Sequence, residues 1–307
     1  MNQQYPNLSI RILCGLFGKT RLAYYDHKKR EKRMDQTHLI VLEMVSIIRE
    51  DMPRLGSKKL FHLISPTLHR QDVKLGRDAL HELLKTHGLT VKKKRVYPRT
   101  TWSDHWLRKY PNLIKGFVPL KPHELWVSDI TYIRLKDDFC YLSLITDAYS
   151  HKIVGYFLSD SLASEGSLNA LKIAIEQLPK DTDINLFHHS DRGVQYCSFE
   201  YVQLLVNNGI KISMTENGDP KENAIAERVN GILKVELSMG KEFGSINQAK
   251  IALEKEIETC NDKRPHLSCN MLTPNEAHKM SGKLDKKWKN YYDRKMNEIN
   301  VEENKFV

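Results

Sequence analysis

The order of β-rich and helical segments after residue 124 is the feature that most constrains the fold of this chain. Three β-rich runs, LWVSDITYIRL, FCYLSLITDAYS and KIVGYFLSD, follow one another with short polar turns between them. Helical and strand-like segments then alternate: SEGSLNALKIAIEQLP, INLFHHS, SFEYVQLLVNNG, IKISMT and KENAIAERVNGILKVELS. Strands joined by short turns pair antiparallel, whereas strands separated by a helix pair parallel. The sequence therefore predicts an α/β domain whose mixed sheet joins an antiparallel three-strand meander to two parallel strands, with helices on both faces.

This order is the ribonuclease H-like arrangement, and it occupies only the second half of the chain. We predict five regions in the 307 residues. Residues 1–35 form a basic helical segment, 36–90 a small helical, helix-turn-helix-like DNA-binding domain, 91–122 a basic linker with prolines, 123–280 the ribonuclease H-like catalytic core, and 281–307 a charged tail. A plain three-helix bundle is the alternative for residues 36–90.

Positive charge is concentrated in the first 120 residues, which hold 24 Lys and Arg against 10 Asp and Glu. The remaining residues hold 24 against 28, so the net charge of +10 divides into +14 and −4. A cationic segment gains affinity for a polyanion by releasing condensed counterions, which makes nucleic acid the predicted partner. A merely solvated basic surface is the alternative. The residues of this half predicted to contact DNA are Arg77 in the last short helix and Lys92, Lys93, Lys94 and Arg95 in the linker.

Cysteine usage and hydropathy exclude several classes of protein. Five cysteines with no CxxC pair argue against a disulfide framework and against a zinc ribbon, so we expect reduced thiols. No run of about 18 uncharged apolar residues occurs, and the first residues lack the pattern of a signal peptide. We therefore expect a soluble, intracellular protein without a membrane partner.

Three acidic residues stand where this fold would bring them together. Asp129 interrupts the first apolar strand, Asp191 directly follows the buried strand INLFHHS, and Glu227 lies on the last long helix. Clustered carboxylates repel one another, and a divalent cation relieves that repulsion. Oxygen ligands suit Mg²⁺ or Mn²⁺, and two such ions could support an in-line phosphoryl displacement. The other acids near these positions, Asp147, Asp219 and Glu222, are predicted to be structural.

The helix that carries Glu227 also places other polar residues at steps of three and four. Steps of that size return to the same side of a helix, so these residues are predicted to form one polar stripe, opposite Ile225, Val229 and Ile232. Lys234 lies about 10 Å beyond Glu227 along the helix axis, a distance that suits contact with the substrate backbone. His188 and His189 have no serine nucleophile to serve, and we expect them to position Asp191 or to touch DNA. The polar stripe comprises Asn223, Glu227, Asn230, Gly231 and Lys234.

Five segments of the chain resemble one known family: HELWVSDITYI, FCYLSLITDAYSHKIVGY, HHSDRGVQY, SMTENGDPKENAIAERVNGILKVEL and NDKRPHLSCNMLTPNEA. They are similar to the catalytic domain of bacterial insertion-sequence transposases of family three, the OrfB type, which are related to retroviral integrases. The resemblance covers about residues 7–278. Asp191 and Glu227 have 35 residues between them, as in the Asp-Asp-Glu signature of that family, and Lys234 occupies its basic position seven residues after the Glu. The resemblance implies that Asp129, Asp191 and Glu227 are catalytic metal ligands.

What the resemblance implies is a polynucleotidyl transferase that nicks DNA at the ends of its element and joins the freed 3′-hydroxyl to a phosphate. The implied partners are the terminal inverted repeats, target DNA, further copies of the chain in a dimer or higher oligomer, and an upstream-frame helix-turn-helix protein of the OrfA type. The implied location is the bacterial cytoplasm, on the nucleoid.

The chain departs from the family pattern at two positions that concern DNA contacts. Glu222 stands in GDPKENA where Asp is usual, and Arg228 follows the predicted catalytic Glu where Ser is frequent. We predict that Arg228, Asn223, Asn230 and Lys234 contact DNA. The alternatives to an active transposase are a non-catalytic DNA-binding regulator, a decayed copy, or a ribonuclease H-like nuclease without strand transfer.

Overall fold

The computed structural model describes residues 9–91, 105–179, 185–216 and 220–288. The chain divides into two compact units, the first containing residues 1–50 and 55–92, the second residues 51–54 and 93–307. Within the described ranges, no helix combines the length and the apolar character that crossing a membrane requires.

The first unit is helical, as the sequence predicts. Helix α1 begins after Ser9, whose Oγ accepts a hydrogen bond from the backbone N–H of Ile12. A left-handed Gly18, with φ of +62°, then separates α1 from α2. The backbone N–H of Ala23 donates to Oγ1 of Thr20 at the start of α2. The four helices are α1 (Ile10–Leu16), α2 (Arg21–Asp51), α3 (Ser57–Arg70) and α4 (Arg77–Thr86).

Helix α2 is longer than the sequence analysis anticipates, because it continues through the boundary predicted at residue 35. No Gly or Pro occurs between Gly18 and Pro53, so no residue in this stretch interrupts the backbone hydrogen bonds of a helix. The charged residues near position 30 change the exposed surface of the helix without ending it.

Helices α3 and α4 contact each other and correspond to the last two helices of the predicted helix-turn-helix-like domain. Each buries one leucine-rich side, as amphipathic helices do. Gly88 ends α4 in the left-handed conformation, with φ of +67°, and the N–H of Leu89 donates to the carbonyl of Leu84. A left-handed glycine directly after the last turn is a common way for a helix to end.

The second unit contains a five-stranded sheet with the strand order β3-β2-β1-β4-β5. The pairs β1–β2 and β2–β3 are antiparallel, and the pairs β1–β4 and β4–β5 are parallel. This is the ribonuclease H-like order, so the predicted meander with two added parallel strands is confirmed. The strands are β1 (Leu125–Arg134), β2 (Phe139–Asp147), β3 (Ile153–Ser159), β4 (Phe187–Ser190) and β5 (Lys211–Met214).

Helices cover both faces of this sheet, because successive side chains of β1 alternate between two separate cores. Trp126 belongs to a core shared with α5 (Ser164–Glu176), α6 (Val194–Cys197) and α7 (Phe199–Asn207). Leu125 and Val127 belong to a core on the opposite face, shared with Ala226 and Ile225 of α8. The remaining helices are α8 (Ala224–Gly231), α9 (Ile246–Glu258) and α10 (Pro274–Ala277).

The segment predicted as one long helix from residue 221 consists of three pieces. A 3₁₀ turn, Pro220–Asn223, leads into α8, and a π-helical turn, Ile232–Glu236, continues it. A π turn inserts one extra residue per turn, so side chains beyond Gly231 no longer follow the 3.6-residue period used to predict the polar stripe. A second π turn, Thr259–Lys263, continues α9.

The cysteines agree with the expectation of reduced thiols. All five lie within the described residues, are buried and form no disulfide. Burial raises the pKa of Cys140 to about 11 and that of Cys269 to about 12, so these thiols stay protonated and unreactive at neutral pH.

Candidate functional site

Asp129 lies in the middle of β1, on the sheet face that α8 covers. It is paired with Leu144 of β2 and shares its face with Leu125 and Val127, since side chains two residues apart point the same way. Its own backbone neighbour Ile130 donates an N–H to Oδ1 at 3.0 Å. Asp129 is half-buried in this position, so its ionisation depends on the groups around it.

Asp191 follows directly after β4, the parallel neighbour of β1. Val127 is paired with His189, and continuing that register by two residues brings Asp191 beside Asp129. The backbone N–H of Gly193 donates to Oδ1 of Asp191 at 3.0 Å, which closes a tight turn around the carboxylate. A Cβ at position 193 would lie 3.0 Å from that same oxygen, so any larger residue here would press against the Asp191 carboxylate.

Two asparagines, Asn230 of α8 and Asn223 of the 3₁₀ turn before it, bind β1 at Asp129 and Ser128. Nδ2 of Asn230 donates to Oδ2 of Asp129 at 2.6 Å, and Nδ2 of Asn223 donates to the carbonyl of Ser128 at 2.9 Å. Both asparagines are buried, so the side chains that the sequence analysis assigned to DNA face β1. No sequence period distinguishes a buried asparagine from an exposed one, and this contact depends on a residue about one hundred positions away.

The electrostatics of Asp129 connect the three acidic residues. Its pKa rises to about 7, first because the carboxyl is buried and then because the negative charge of Asp191 lies nearby. The hydrogen bonds from Asn230 and Ile130 oppose this rise, and the charge of Glu227 adds to it. Glu227, in the first turn of α8, is exposed. All three carboxyl groups therefore share one region, with Asp191 acting on Asp129 more strongly than Glu227 does.

As the side chains stand, no group of three or more His, Cys, Asp or Glu residues in the described ranges is arranged to hold a metal ion. The available donors are nonetheless carboxylate oxygens, which suit hard cations such as Mg²⁺ and Mn²⁺. A cation beside Asp129 would favour its ionised form and so reverse the effect of burial on its pKa.

Two buried histidines of β4 form hydrogen bonds with residues next to the site. Nε2 of His188 lies 2.6 Å from Oγ of Ser128 and 2.9 Å from the hydroxyl of Tyr201, and Nδ1 of His189 lies 2.9 Å from Oγ of Ser213. Burial lowers their pKa to about 3 and about 4, so both rings are neutral. Being buried, neither ring can touch DNA, whereas His188 anchors the residue that precedes Asp129.

Asp147, one of the acids predicted to be structural, caps the turn after β2. Its Oδ1 accepts hydrogen bonds from the N–H and the hydroxyl of Ser150, and its Oδ2 accepts one from the N–H of His123. Glu222 accepts a hydrogen bond from the N–H of Glu216. Asp219 lies outside the described residues.

The cationic residues predicted to contact DNA differ in burial and in their ion-pair partners. Lys234, in the π turn, is half-buried, and burial lowers its pKa while the charge of Asp129 raises it, so it lies near the acids. Arg228 is exposed and forms an ion pair with Glu236. Arg77 is exposed on the first unit and pairs with Asp78 at 2.8 Å. The four linker cations, Lys92, Lys93, Lys94 and Arg95, lie outside the described residues.

The chain is similar to known protein families and to individual proteins. Two protein-family models, both described as integrase core domain, match residues 119–220 and 208–274. A 31 kDa protein of insertion element IS600 from Shigella sonnei is 31% identical, over 85% of this chain and 96% of that protein. A Mycobacterium tuberculosis protein assigned as transposase of insertion sequence element IS986/IS6110 is 30% identical, over 83% of this chain and 92% of its own length.

Solved structures give a weaker likeness. The catalytic core domain of HTLV-2 integrase, in complex with magnesium, aligns with a TM-score of 0.40 and 20% identity. The alignment covers 52% of this chain and 99% of that domain.

Proposed function

Because the chain belongs to the insertion-sequence transposases that carry an integrase core domain, we propose that Asp129, Asp191 and Glu227 are the residues with which it cuts and joins DNA. The chain is a DNA transposase and therefore a polynucleotidyl transferase. One geometric observation carries the proposal. Asp129 of β1, Asp191 directly after the adjacent β4, and Glu227 of α8 share one region, where the charges of Asp191 and Glu227 raise the pKa of Asp129. Nicking and joining of a labelled duplex that ends in the terminal sequence of the element, with Mg²⁺ or Mn²⁺, tests the assignment.

The residues of this site fit a divalent cation. Asp129 is half-buried beside two further negative charges, and the donors that oppose its raised pKa are the neutral Asn230 amide and the Ile130 N–H. The donor set consists of carboxylate oxygens, which match the preference of Mg²⁺ and Mn²⁺. We propose that Asp129 and Asp191 would bind the first ion and that Glu227 would complete a site for two ions. When bound, such ions stabilise charge on the attacking and the leaving oxygen of a phosphoryl displacement.

The protein itself contributes a fixed arrangement of these carboxylates. Asn230 and the Ile130 N–H each bind one oxygen of Asp129, and the Gly193 N–H binds Asp191. These bonds set the orientation of both groups before substrate arrives, so little reorganisation is needed when the phosphate is attacked. Glu227 is exposed and can turn towards the two aspartates. The same acids would serve both steps, first with water as the attacking group and then with the freed 3′-hydroxyl.

Asn230 gives a test that separates support of Asp129 from contact with DNA. We expect Asn230→Ala to raise the Mg²⁺ concentration needed for half-maximal nicking by about 10- to 100-fold, because a lost supporting hydrogen bond typically costs that much in metal affinity or activity. Titrating Mg²⁺ in the nicking assay measures the effect, and end binding by gel shift should stay unchanged. Asn208→Ala, on an exposed amide that bonds only to the carbonyl of Leu204, is the control. Lost DNA affinity with an unchanged Mg²⁺ requirement would instead assign Asn230 to DNA.

The DNA partners that we propose are the terminal inverted repeats of the element and its target. Lys234 lies near Asp129, where it can bind a phosphate next to the one attacked. Arg228 must leave its ion pair with Glu236 in order to contact DNA. We propose that Arg77 and the linker cations Lys92, Lys93, Lys94 and Arg95 bind further phosphates of the DNA. We further propose that two or more copies act together on two DNA ends, and that an upstream-frame helix-turn-helix protein assists them.

The linker cations can be tested through the salt dependence of binding. Replacing both Lys93 and Lys94 with Ala is expected to lower the slope of log affinity against log salt by about 1.8, since each phosphate contact releases about 0.9 counterion. Binding should weaken similarly for any duplex sequence, as backbone contacts carry no sequence information. The matched control replaces Lys241 and Lys250, two exposed cations of the second unit, and changes the net charge equally. Equal slopes for the two double variants would rule out the linker contact.

A further inference from the structure

Trp106 has the largest exposed fraction of any large apolar side chain that the structure describes. Its side chain is 91% exposed, whereas tryptophan usually buries most of its 150–250 Å² when a chain folds. Leaving such a ring in water forgoes a large hydrophobic gain, and exposed rings of this kind are common where a ligand or partner covers them. The position of the ring therefore decides what could cover it.

Residues on both sides of Trp106 contact the rest of the second unit. Nε2 of His105 donates to the carbonyl of Arg192 at 2.7 Å, and Arg192 directly follows Asp191. Leu107 and Tyr110 pack against the core that Trp126 shares with α5, α6 and α7. Trp106 thus stands on an anchored backbone beside the proposed catalytic Asp191, while its own ring remains in solvent.

Three cationic residues lie near Trp106 in the chain or at its anchor: Arg108 and Lys109 follow it by two and three positions, and the carbonyl of Arg192 accepts the hydrogen bond from His105. Arg108 lies over the ring of Tyr110, with 5.1 Å between the guanidinium carbon and the ring centre. Lys109 and Arg192 both lie close to the thiol of Cys197 in α6: burial raises the pKa of that thiol to about 11, and these two charges oppose the rise. An exposed aromatic ring among cations is the arrangement that single-stranded nucleic acid binds, because bases stack on the ring while phosphates pair with the charges.

We propose that Trp106 stacks on an unpaired base of the DNA end, next to the phosphate that is cut beside Asp191. This inference rests on the proposed function, because it takes Asp191 as the place of cutting. A base paired inside a duplex is stacked on both faces and offers none to a side chain, so the ring would act on bases that open next to the cut. Trp106 would then bind the end in its frayed form and hold the scissile strand over the acids.

The test compares Trp106→Phe, Trp106→Leu and Trp106→Ala in the full chain. End duplexes carry 2-aminopurine at successive positions on each side of the cut, either fully paired or with three mismatched pairs there. We expect the parent and Trp106→Phe to quench the probe at one position and to bind the mismatched duplex more tightly. Trp106→Ala and Trp106→Leu should lose the quench and bind that duplex about 5- to 150-fold more weakly, with little change for the paired one. Phe139→Ala, which removes an exposed ring at the start of β2, should behave as the parent.

The outcomes distinguish the two proposals. Unchanged quenching and affinity in Trp106→Ala would overturn the stacking role, even if the parent nicks DNA normally. Equal binding by Trp106→Leu and the parent would also overturn it, because an aliphatic side chain does not stack. A parent that fails to nick with Mg²⁺ or Mn²⁺ counts against the proposed function, while the quench still decides whether Trp106 binds a base. If Trp106→Ala retained the quench but formed fewer oligomers than the parent in the absence of DNA, the ring would contact a second copy of the chain. That result would overturn the stacking role.

Discussion

Replacing Glu227 with Gln is expected to lower the rates of nicking and strand transfer by about 10²- to 10⁴-fold. The change keeps the size and helix propensity of the side chain but removes a negative charge that would help to hold a divalent cation, whose stabilisation of the transition state amounts to several kcal/mol. Binding of the DNA end should persist or tighten, since less negative charge faces the phosphates. Nicking and joining of a labelled end duplex, measured beside gel-shift binding, gives both quantities.

Glu222 supplies the matched control for this experiment. Its carboxylate accepts a hydrogen bond from the N–H of Glu216 and lies five residues before Glu227. Glu222→Gln should therefore nick and join at close to the parent rate. If Glu227→Gln retained the parent rate while Glu222→Gln lost it, the third acid would be Glu222, and the role assigned to Glu227 would be wrong.

The second large effect concerns stability, at the ion pair between Glu236 and Arg264. The Arg264 side chain is only 1% exposed, and its Nε donates to Oε2 of Glu236 at 3.1 Å. Glu236→Gln leaves this buried guanidinium without its charge partner, a change that typically costs about 3–5 kcal/mol of unfolding free energy. Urea unfolding followed by circular dichroism measures the loss as a lower midpoint.

A surface ion pair provides the control for that measurement. Glu242 lies 3.4 Å from Arg134, and both side chains are more than half exposed. Glu242→Gln should cost less than about 1 kcal/mol, because exposed pairs are well solvated. The double variant Arg264→Met with Glu236→Leu should recover much of the loss, since it leaves no buried charge unpaired. Equal midpoints for Glu236→Gln and Glu242→Gln would show that Glu236 does not stabilise the fold.

The sheet could be predicted from the sequence because each of its parts has a local signal. The first three strands are runs rich in β-branched and aromatic residues joined by short turns, and β4 is a short apolar run flanked by helical segments. The acidic residues could be located because Asp129 interrupts an apolar strand, a placement that burial makes costly. The lack of a CxxC pair and the glycine at position 88, where α4 ends, are likewise local features of the sequence.

The support around the acids could not be predicted, because it depends on residues far apart in the chain. Asn230 stands at helical spacing from Glu227, and that spacing is the same whether the amide faces water or reaches Oδ2 of Asp129. The π turn at Ile232–Glu236 has no residue signature, yet it changes the direction of Lys234. The link from His188 to Ser128 similarly needs the parallel pairing of β1 with β4.

The pairing of β1 with β4 also determines when activity can arise as the chain folds. Val127 and His189 are 62 positions apart, so their contact closes a long loop and carries an entropic cost that local contacts do not. During synthesis, Asp129 leaves the ribosome well before β4 and α8 exist to enclose it. If these acids cut DNA as proposed, a nascent chain lacks the complete site, which forms only together with the folded core of the second unit.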